Sequence, residues 1–333
     1  MVLSSALFAS PVSVKPAAGG EGIQAALDAA PAGGEVVLEA GTYLVRTPII
    51  LRKDGQALRG AGRGTILALA DEANCPVIIM GSLKNFLTAP TKNLRVSDLS
   101  IDGNRTKQAH EVWKFLPEGP GVYNNGIDVW GALDSTIERV VCAHCRSGGF
   151  VPAAGTRRLT VRDIEAFDNQ FDGIACFQVE DCHFSGLNMH DNLAAGVSLD
   201  GGFNNNEFRD LDLANNDIGV FMRQSRSNVF EDVKIRQSHH HGVFMAQTGE
   251  QTASGWKLRP GSECAGNVFA GLLISRSGGK AFVIHDAGCV NNTVFGGRFV
   301  ENAEGDLSEE AADLVALRPI SDRAPVHLTN RGS

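Results

Sequence analysis

Four residues in the middle of the chain have the types that proton transfer beside a carboxylate requires: Asp172, Asp200, Arg223 and His241. Taking a proton from the carbon next to a carboxylate needs that charge neutralised and a base within reach. Arg223 is the neutralising candidate, and His241 or its neighbour His240 the base. The same stretch offers acid–base pairs among Asp128, Asp172, Asp200 and Asp217, which would suit hydrolysis of a neutral glycan. Near them stand Trp130, Phe177, Phe221 and Phe244, whose flat faces beside charges suit sugars, because sugars present apolar ring faces and hydroxyl edges. A protein that binds glycan without turning it over would use the same residue types.

What positions these side chains is a period. A glycine followed by mostly apolar residues returns at Gly126, Gly149, Gly173, Gly196, Gly219 and Gly242, at intervals of 23, 24, 23, 23 and 23. Self-similarity of this length marks a solenoid, whose coils bury their apolar faces only against one another. Numbered from each glycine, positions +1 and +3 are almost all apolar and point inward, so +2 and +4 face out. The +2 column is Asp128, Val151, Ala175, Ser198, Phe221 and Phe244. The +4 column is Trp130, Ala153, Phe177, Asp200, Arg223 and Ala246.

Equivalent positions on adjacent coils lie about 4.8 Å apart. Asp200 and Arg223 therefore meet, either as a plain surface ion pair or as a grip on a substrate carboxylate. Asp172 stands at −1, and Asp217 at −2 lies close to His239, His240 and His241. Asp172 and Asp217 are two coils, or roughly 10 Å, apart, at the upper limit for an inverting carboxylate pair. Position −4 carries Asn169, Asn192 and Asn215, expected as a stacked ladder that satisfies turn backbone.

Residues 20–30 form one helical stripe through Ile23, Ala26, Leu27 and Ala30 before Pro31, a lid for the open end of a stack. Short strands separated by glycine-rich turns follow. The run Arg59-Gly-Ala-Gly-Arg-Gly lacks the Lys-Ser/Thr of a phosphate loop and precedes a strand. Two segments break the rhythm, between Gly103 and Asn125 and between Gln247 and Asn267. Both read as loops inserted at coil corners, where binding residues concentrate; they carry Tyr123, Trp256 and Lys257. Leu307–Leu317 reads as a helix capped by Ser308. The organisation expected is a lead over 1–19, a β-helix domain over 20–303, and a C-terminal helix and tail over 304–333.

A net charge of −8 on 333 residues argues against nucleic acid as the partner. No run is apolar and long enough to span a membrane. The opening residues lack a basic n-region, so secretion or periplasmic location would depend on a signal already removed. The seven cysteines are scattered and suggest no disulfide framework. Cys142-Ala-His-Cys145 has metal-ligand spacing without a second pair to complete four ligands. No cofactor is implied, and nothing specifically indicates calcium.

The coil register, the amphipathic cap and the glycine-rich turns resemble the right-handed parallel β-helix of the pectin-lyase-like superfamily, an all-β fold. Residues 20 to about 250 are similar to the catalytic module of bacterial mannuronan C5-epimerases. The resemblance is carried by Ile23-Gln-Ala-Ala-Leu-Asp-Ala-Ala, Ser97-Asp-Leu-Ser-Ile-Asp-Gly-Asn-Arg105, Thr136-Ile-Glu-Arg-Val, Leu159-Thr-Val-Arg-Asp163 and Asp168-Asn-Gln-Phe-Asp172-Gly. It implies a poly- or oligosaccharide substrate and a Tyr-Gly-Phe-Asp-Pro-His signature. The matching residues here are Gly148-Gly-Phe-Val151-Pro-Ala153, which lack the tyrosine, aspartate and histidine. An arginine that the resemblance places two residues before Gly196 is Ala194. Asp172 matches the family's Asp-Gly. Chemistry of the lyase or epimerase type would then sit farther along the stack, around Asp172, Asp200 and Arg223. The substrate-facing set expected with it is Tyr123, Asp128, Trp130, Phe177, Asp217, Phe221, His240, Phe244, Trp256 and Lys257.

Overall fold

The computed structural model describes residues 10–82, 84–109, 114–115, 121–122, 124–247, 249–252, 255–258, 261–308, 314–316 and 326–330. The chain winds as a parallel β-helix. One wall is a nine-stranded parallel sheet of short strands, which includes Ile127–Trp130, Phe150–Pro152, Ile174–Phe177, Ala195–Asp200, Ile218–Arg223, Val243–Ala246 and Phe282–Ile284. The other large sheet has eight-residue strands at its centre: Arg95–Asp102, Thr136–Ala143, Thr160–Phe167, His183–His190, Glu207–Ala214 and Val229–Arg236. Each of these six turns a corner at one left-handed residue, in order Asp98, Arg139, Asp163, Gly186, Asp210 and Asp232. The ladder skips that residue and resumes on its far side.

The glycine period has a steric cause. A Cβ at Gly173 would come within 2.8 Å of the Gly196 carbonyl oxygen, and one at Gly219 within 2.5 Å of the Gly242 carbonyl. Any side chain there would push the next coil away. Inward positions behave as the alternation requires: Ile127, Val129, Ile174, Cys176, Val197, Leu199, Val220, Met222, Val243 and Met245 are all fully buried. Phe184, Phe208, Phe230 and Phe269 stack face to face inside the stack, with centroids 4.5, 4.9 and 4.4 Å apart. Each fully buried side chain of this size contributes roughly 1.5–3 kcal/mol.

Buried asparagines stitch the turns. The first ladder runs Asn169, Asn192, Asn216, each side-chain oxygen accepting the backbone N–H of the asparagine before it. Asn216 replaces the expected Asn215, which takes the left-handed place held by Asp168 and Asp191 in their coils. The turn before Gly219 is one residue shorter than its neighbours, and an extra residue after Asp200 restores the 23-residue interval. A second ladder, Asn206, Asn228, Asn267 and Asn292, lies on another corner.

Helix Gly19–Ala29 packs Ile23 and Leu27 into the first coils, as expected of a cap. Pairing begins earlier, with Val12–Val14 against Val36–Leu38, inside the stretch read as a lead. Among the described residues of the stretch expected as a helix from Leu307, none is helical. Leu307 bridges to Phe282, and the Ser308 hydroxyl both accepts the Ile284 N–H and donates to the Ile284 carbonyl, continuing the coil instead of capping a helix. Leu314–Ala316 is a strand antiparallel to Val326–Asn330. Ladder pairing overrides local helix propensity here. Both inserts form antiparallel hairpins, Lys114–Phe115 with Gly121–Val122 and Gly249–Thr252 with Gly255–Leu258.

Candidate functional site

The short-strand sheet carries the outward columns, and its width separates the expected catalytic residues. Asp172 lies two residues before the short strand Ile174–Phe177, whereas Asp200 and Arg223 end theirs. Five residues at about 3.3 Å each put the two edges roughly 16 Å apart. Asp172 therefore does not join the Asp200–Arg223 pair. Its Oδ1 accepts the Ala195 N–H at 2.8 Å, a turn-forming contact.

Arg223 and His241 are connected across the sheet by aromatic rings. Arg223 Nε and Nη2 both donate to Asp200 Oδ2, the former at 3.0 Å. That hydrogen bonding raises the arginine pKa further and outweighs its burial. The guanidinium carbon lies 5.6 Å from the Phe221 ring centre. Phe221 stacks on Phe244 at 5.7 Å and 3°, and Phe244 in turn on His241 at 6.0 Å. All four side chains are half-buried. The result is a strip with a cation at one end, two parallel rings in the middle and imidazole at the other.

The histidine end is polarised by its hydrogen bonds. Burial lowers the His241 pKa, so the ring is neutral at pH 7. The Lys280 N–H points at its Nδ1 at 3.1 Å, which leaves the ring proton on Nε2. His241 is thus a donor, not the base expected of it. His240 has the opposite arrangement: its Nδ1 meets Asp217 Oδ1 at 2.5 Å. With that nitrogen donating to the carboxylate, Nε2 carries the lone pair, and Asp217 orients the ring as the acid of a triad does. The His240 side chain is 69% exposed and that of Asp217 34%, so the pair is open to solvent.

Other expected residues fall elsewhere. Asp128 is not outward in any useful sense: it is 2% exposed, with its Oδ1 accepting from Asn125 Nδ2 at 2.7 Å. Trp130 packs edge-to-face on Phe86 at 5.3 Å, and its buried Nε1 finds no acceptor among the described residues. Val151, Ala153 and Ala246 are buried. The segment around Phe86, which the sequence reading left without a role, approaches closely enough that its backbone would touch a side chain at Gly131 or Gly155. Phe177 is 41% exposed and pairs in register with Asp200, so it extends the cationic end of the strip. Tyr123 lies outside the described residues; Trp256 and Lys257 lie in the second hairpin, and their side chains are outside the described set.

Two residues escaped the sequence reading. Lys280 sits on the coil stacked against His241, and His285 approaches the Phe244 ring at 5.4 Å. Continuing the +2 column one coil farther would have found their strand, since Phe244 pairs with Val283. A second polar cluster lies at the end of the long strands. His190 stacks on Phe167 at 5.0 Å, with its Nδ1 2.7 Å from Asp191 and its Nε2 3.3 Å from Glu165. His144 similarly bridges Asp102 and Asp168. No group able to hold a metal ion occurs among the described residues, and Cys142 and Cys145 are buried free thiols.

The family described as right handed beta helix region matches residues 154–313. Mannuronan C5-epimerase AlgE4 of Azotobacter vinelandii is 36% identical over 175 residues, which are 49% of this chain and 30% of that protein. Alginate lyase 7 of the same organism is 34% identical over 170 residues, 48% of this chain and 19% of that protein. The chain thus spans less than a third of either relative's length. Among solved structures, polygalacturonase from Erwinia carotovora covers 90% of this chain and 93% of its own at a TM-score of 0.56 and 13% identity, a likeness of fold alone. The chain folds as a right-handed parallel β-helix and, over about half its length, resembles the epimerases while lacking the Tyr-Gly-Phe-Asp-Pro-His signature.

Proposed function

We propose that the chain is a carbohydrate-active enzyme that abstracts a proton beside the carboxylate of a uronate in a poly- or oligosaccharide, as a lyase or epimerase does. The observation that carries this reading is the strip from Arg223 through Phe221 and Phe244 to His241, with the Asp217–His240 pair at its end. The two rings offer a platform for a pyranose face. His240 Nε2 takes the C5 proton while Asp217 holds the ring. Lys280 supplies positive charge on the same side, and Arg223 grips a carboxylate farther along by exchanging it for Asp200. In elimination the electrons of the broken C5–H bond form the C4–C5 double bond, the C4–O bond breaks, and the leaving oxygen takes the proton that His240 Nε2 has just accepted, which returns His240 to its neutral form; His241 Nε2 keeps its proton and only donates a hydrogen bond. In epimerisation a proton from water reaches C5 on the opposite face, and His240 releases the one it took to solvent.

The names of the two relatives, a mannuronan epimerase and an alginate lyase, make mannuronate polymers the first substrates to try. The test incubates uronate polymers with the protein in deuterated water, following ultraviolet absorbance of an unsaturated product and deuterium at C5. One of the two signals is expected, and His240→Gln should reduce it by about a hundredfold or more. New reducing ends with neither signal would overturn the reading in favour of hydrolysis by an aspartate pair. Binding without turnover would leave a glycan-binding protein.

A further inference from the structure

Cys264 and Cys289 face each other on adjacent coils. The Cys264 N–H donates to the Gly288 carbonyl, and two residues on the Gly266 N–H donates to the Val290 carbonyl, each at 3.1 Å. In a parallel ladder these bonds set Cys264 directly opposite Cys289. Their Cα atoms are then about 4.8 Å apart, inside the roughly 4.4–6.8 Å that disulfides span. Both residues are buried, at 0% and 1% exposure.

We propose that this pair is a covalent modification site, a disulfide that closes under oxidising conditions and ties the second hairpin to the turn beside the aromatic strip. The hairpin leaves the short-strand sheet at Gln247, whose N–H donates to Asp286 Oδ2 at 2.9 Å. It rejoins the stack at Cys264. Both roots therefore attach to the turn of residues 285–289, next to His285 and Phe244. The co-reactant is a small disulfide oxidant such as oxidised glutathione. One cysteine thiolate attacks it and releases one glutathione thiol; the second cysteine displaces the other. Two S–H bonds are lost and one S–S bond forms, the two electrons and two protons ending on the released thiols. The Cys264 thiol, together with burial, raises the Cys289 pKa. The folded protein is accordingly slow to start the exchange, and closure belongs to folding or to local opening of this coil.

The test refolds the protein in oxidised and in reduced glutathione, counts thiols under denaturing conditions and maps cross-linked peptides. All seven cysteines are free in the reduced form; after oxidation two should be lost, with one cross-link joining positions 264 and 289. The urea midpoint should rise on oxidation in the parent protein and not in Cys289→Ser. Seven thiols after oxidation, a link between any other pair such as Cys142 and Cys145, or an equal midpoint rise in Cys289→Ser would overturn the proposal.

Discussion

Replacing Asn192 with alanine tests whether the buried amides hold the coils together. Asn192 is 1% exposed. Its Oδ1 accepts from the Asn169 backbone at 3.2 Å and from Asn169 Nδ2 at 2.8 Å. Its Nδ2 donates to the Ala166 carbonyl and to Asn216 Oδ1, each at 3.0 Å. The substitution leaves the Asn169 N–H buried without its acceptor and removes one donor from the Ala166 carbonyl. Asn169 Nδ2 keeps the Cys142 carbonyl, and Asn216 Oδ1 keeps the backbone N–H at position 192. Each buried group newly unsatisfied costs about 1–3 kcal/mol, so two give about 2–6 kcal/mol. The assay is urea unfolding followed by circular dichroism, with Arg209→Ala as the control. Arg209 makes an exposed ion pair with Glu231, which should be worth at most about 1 kcal/mol. If Asn192→Ala costs no more than that control, water or a shifted turn replaces the amide and the ladder does not hold the coils.

Three further outcomes follow from the same geometry. Phe230→Ala removes the centre of the aromatic stack and should cost about 3–5 kcal/mol in the same urea assay. Phe244→Ala should weaken oligosaccharide affinity about fivefold by calorimetry, the loss of about 1 kcal/mol of ring stacking, while leaving the far-ultraviolet spectrum unchanged. Burial pushes the Cys142 thiol up from 9.0 to about 12, so the fold favours its neutral form. That stabilisation is complete below pH 9 and is lost as pH rises through about 12; urea midpoints of Cys142→Ala should fall less over that window than those of the parent chain.

The architecture was legible because its cause is local: each glycine of the ruler sits against the next coil's carbonyl, and strand alternation then assigns inward and outward faces. Asn215 was misplaced because a shortened turn and a compensating residue after Asp200 cancel in the glycine count. Ser308 was read as a helix cap because the sequence after it has good helix-start chemistry, and only the distant Ile284 shows that Ser308 continues a coil. At the candidate site, outward meant exposed only where nothing covered the sheet. Trp130 packs against Phe86 and Asp128 is bonded to Asn125, and no periodicity reveals such partners. The dyad could be located but not oriented, because the tautomers of His240 and His241 depend on Asp217 and Lys280, each 23 residues or more away.

The asparagine ladders also have a direction. The Asn192 side chain completes hydrogen bonds for Asn169 and Ala166, both on the coil before it, and Asn228 does the same for Asn206 and Phe203. Each turn is therefore finished by residues that the ribosome adds one coil later. At about 5–20 residues per second, a newly made coil waits roughly one to five seconds before its buried amides find their partners. Growth of the stack is vectorial in consequence: the capped amino-terminal coils form a template, and the most recently made coil is always the incomplete one.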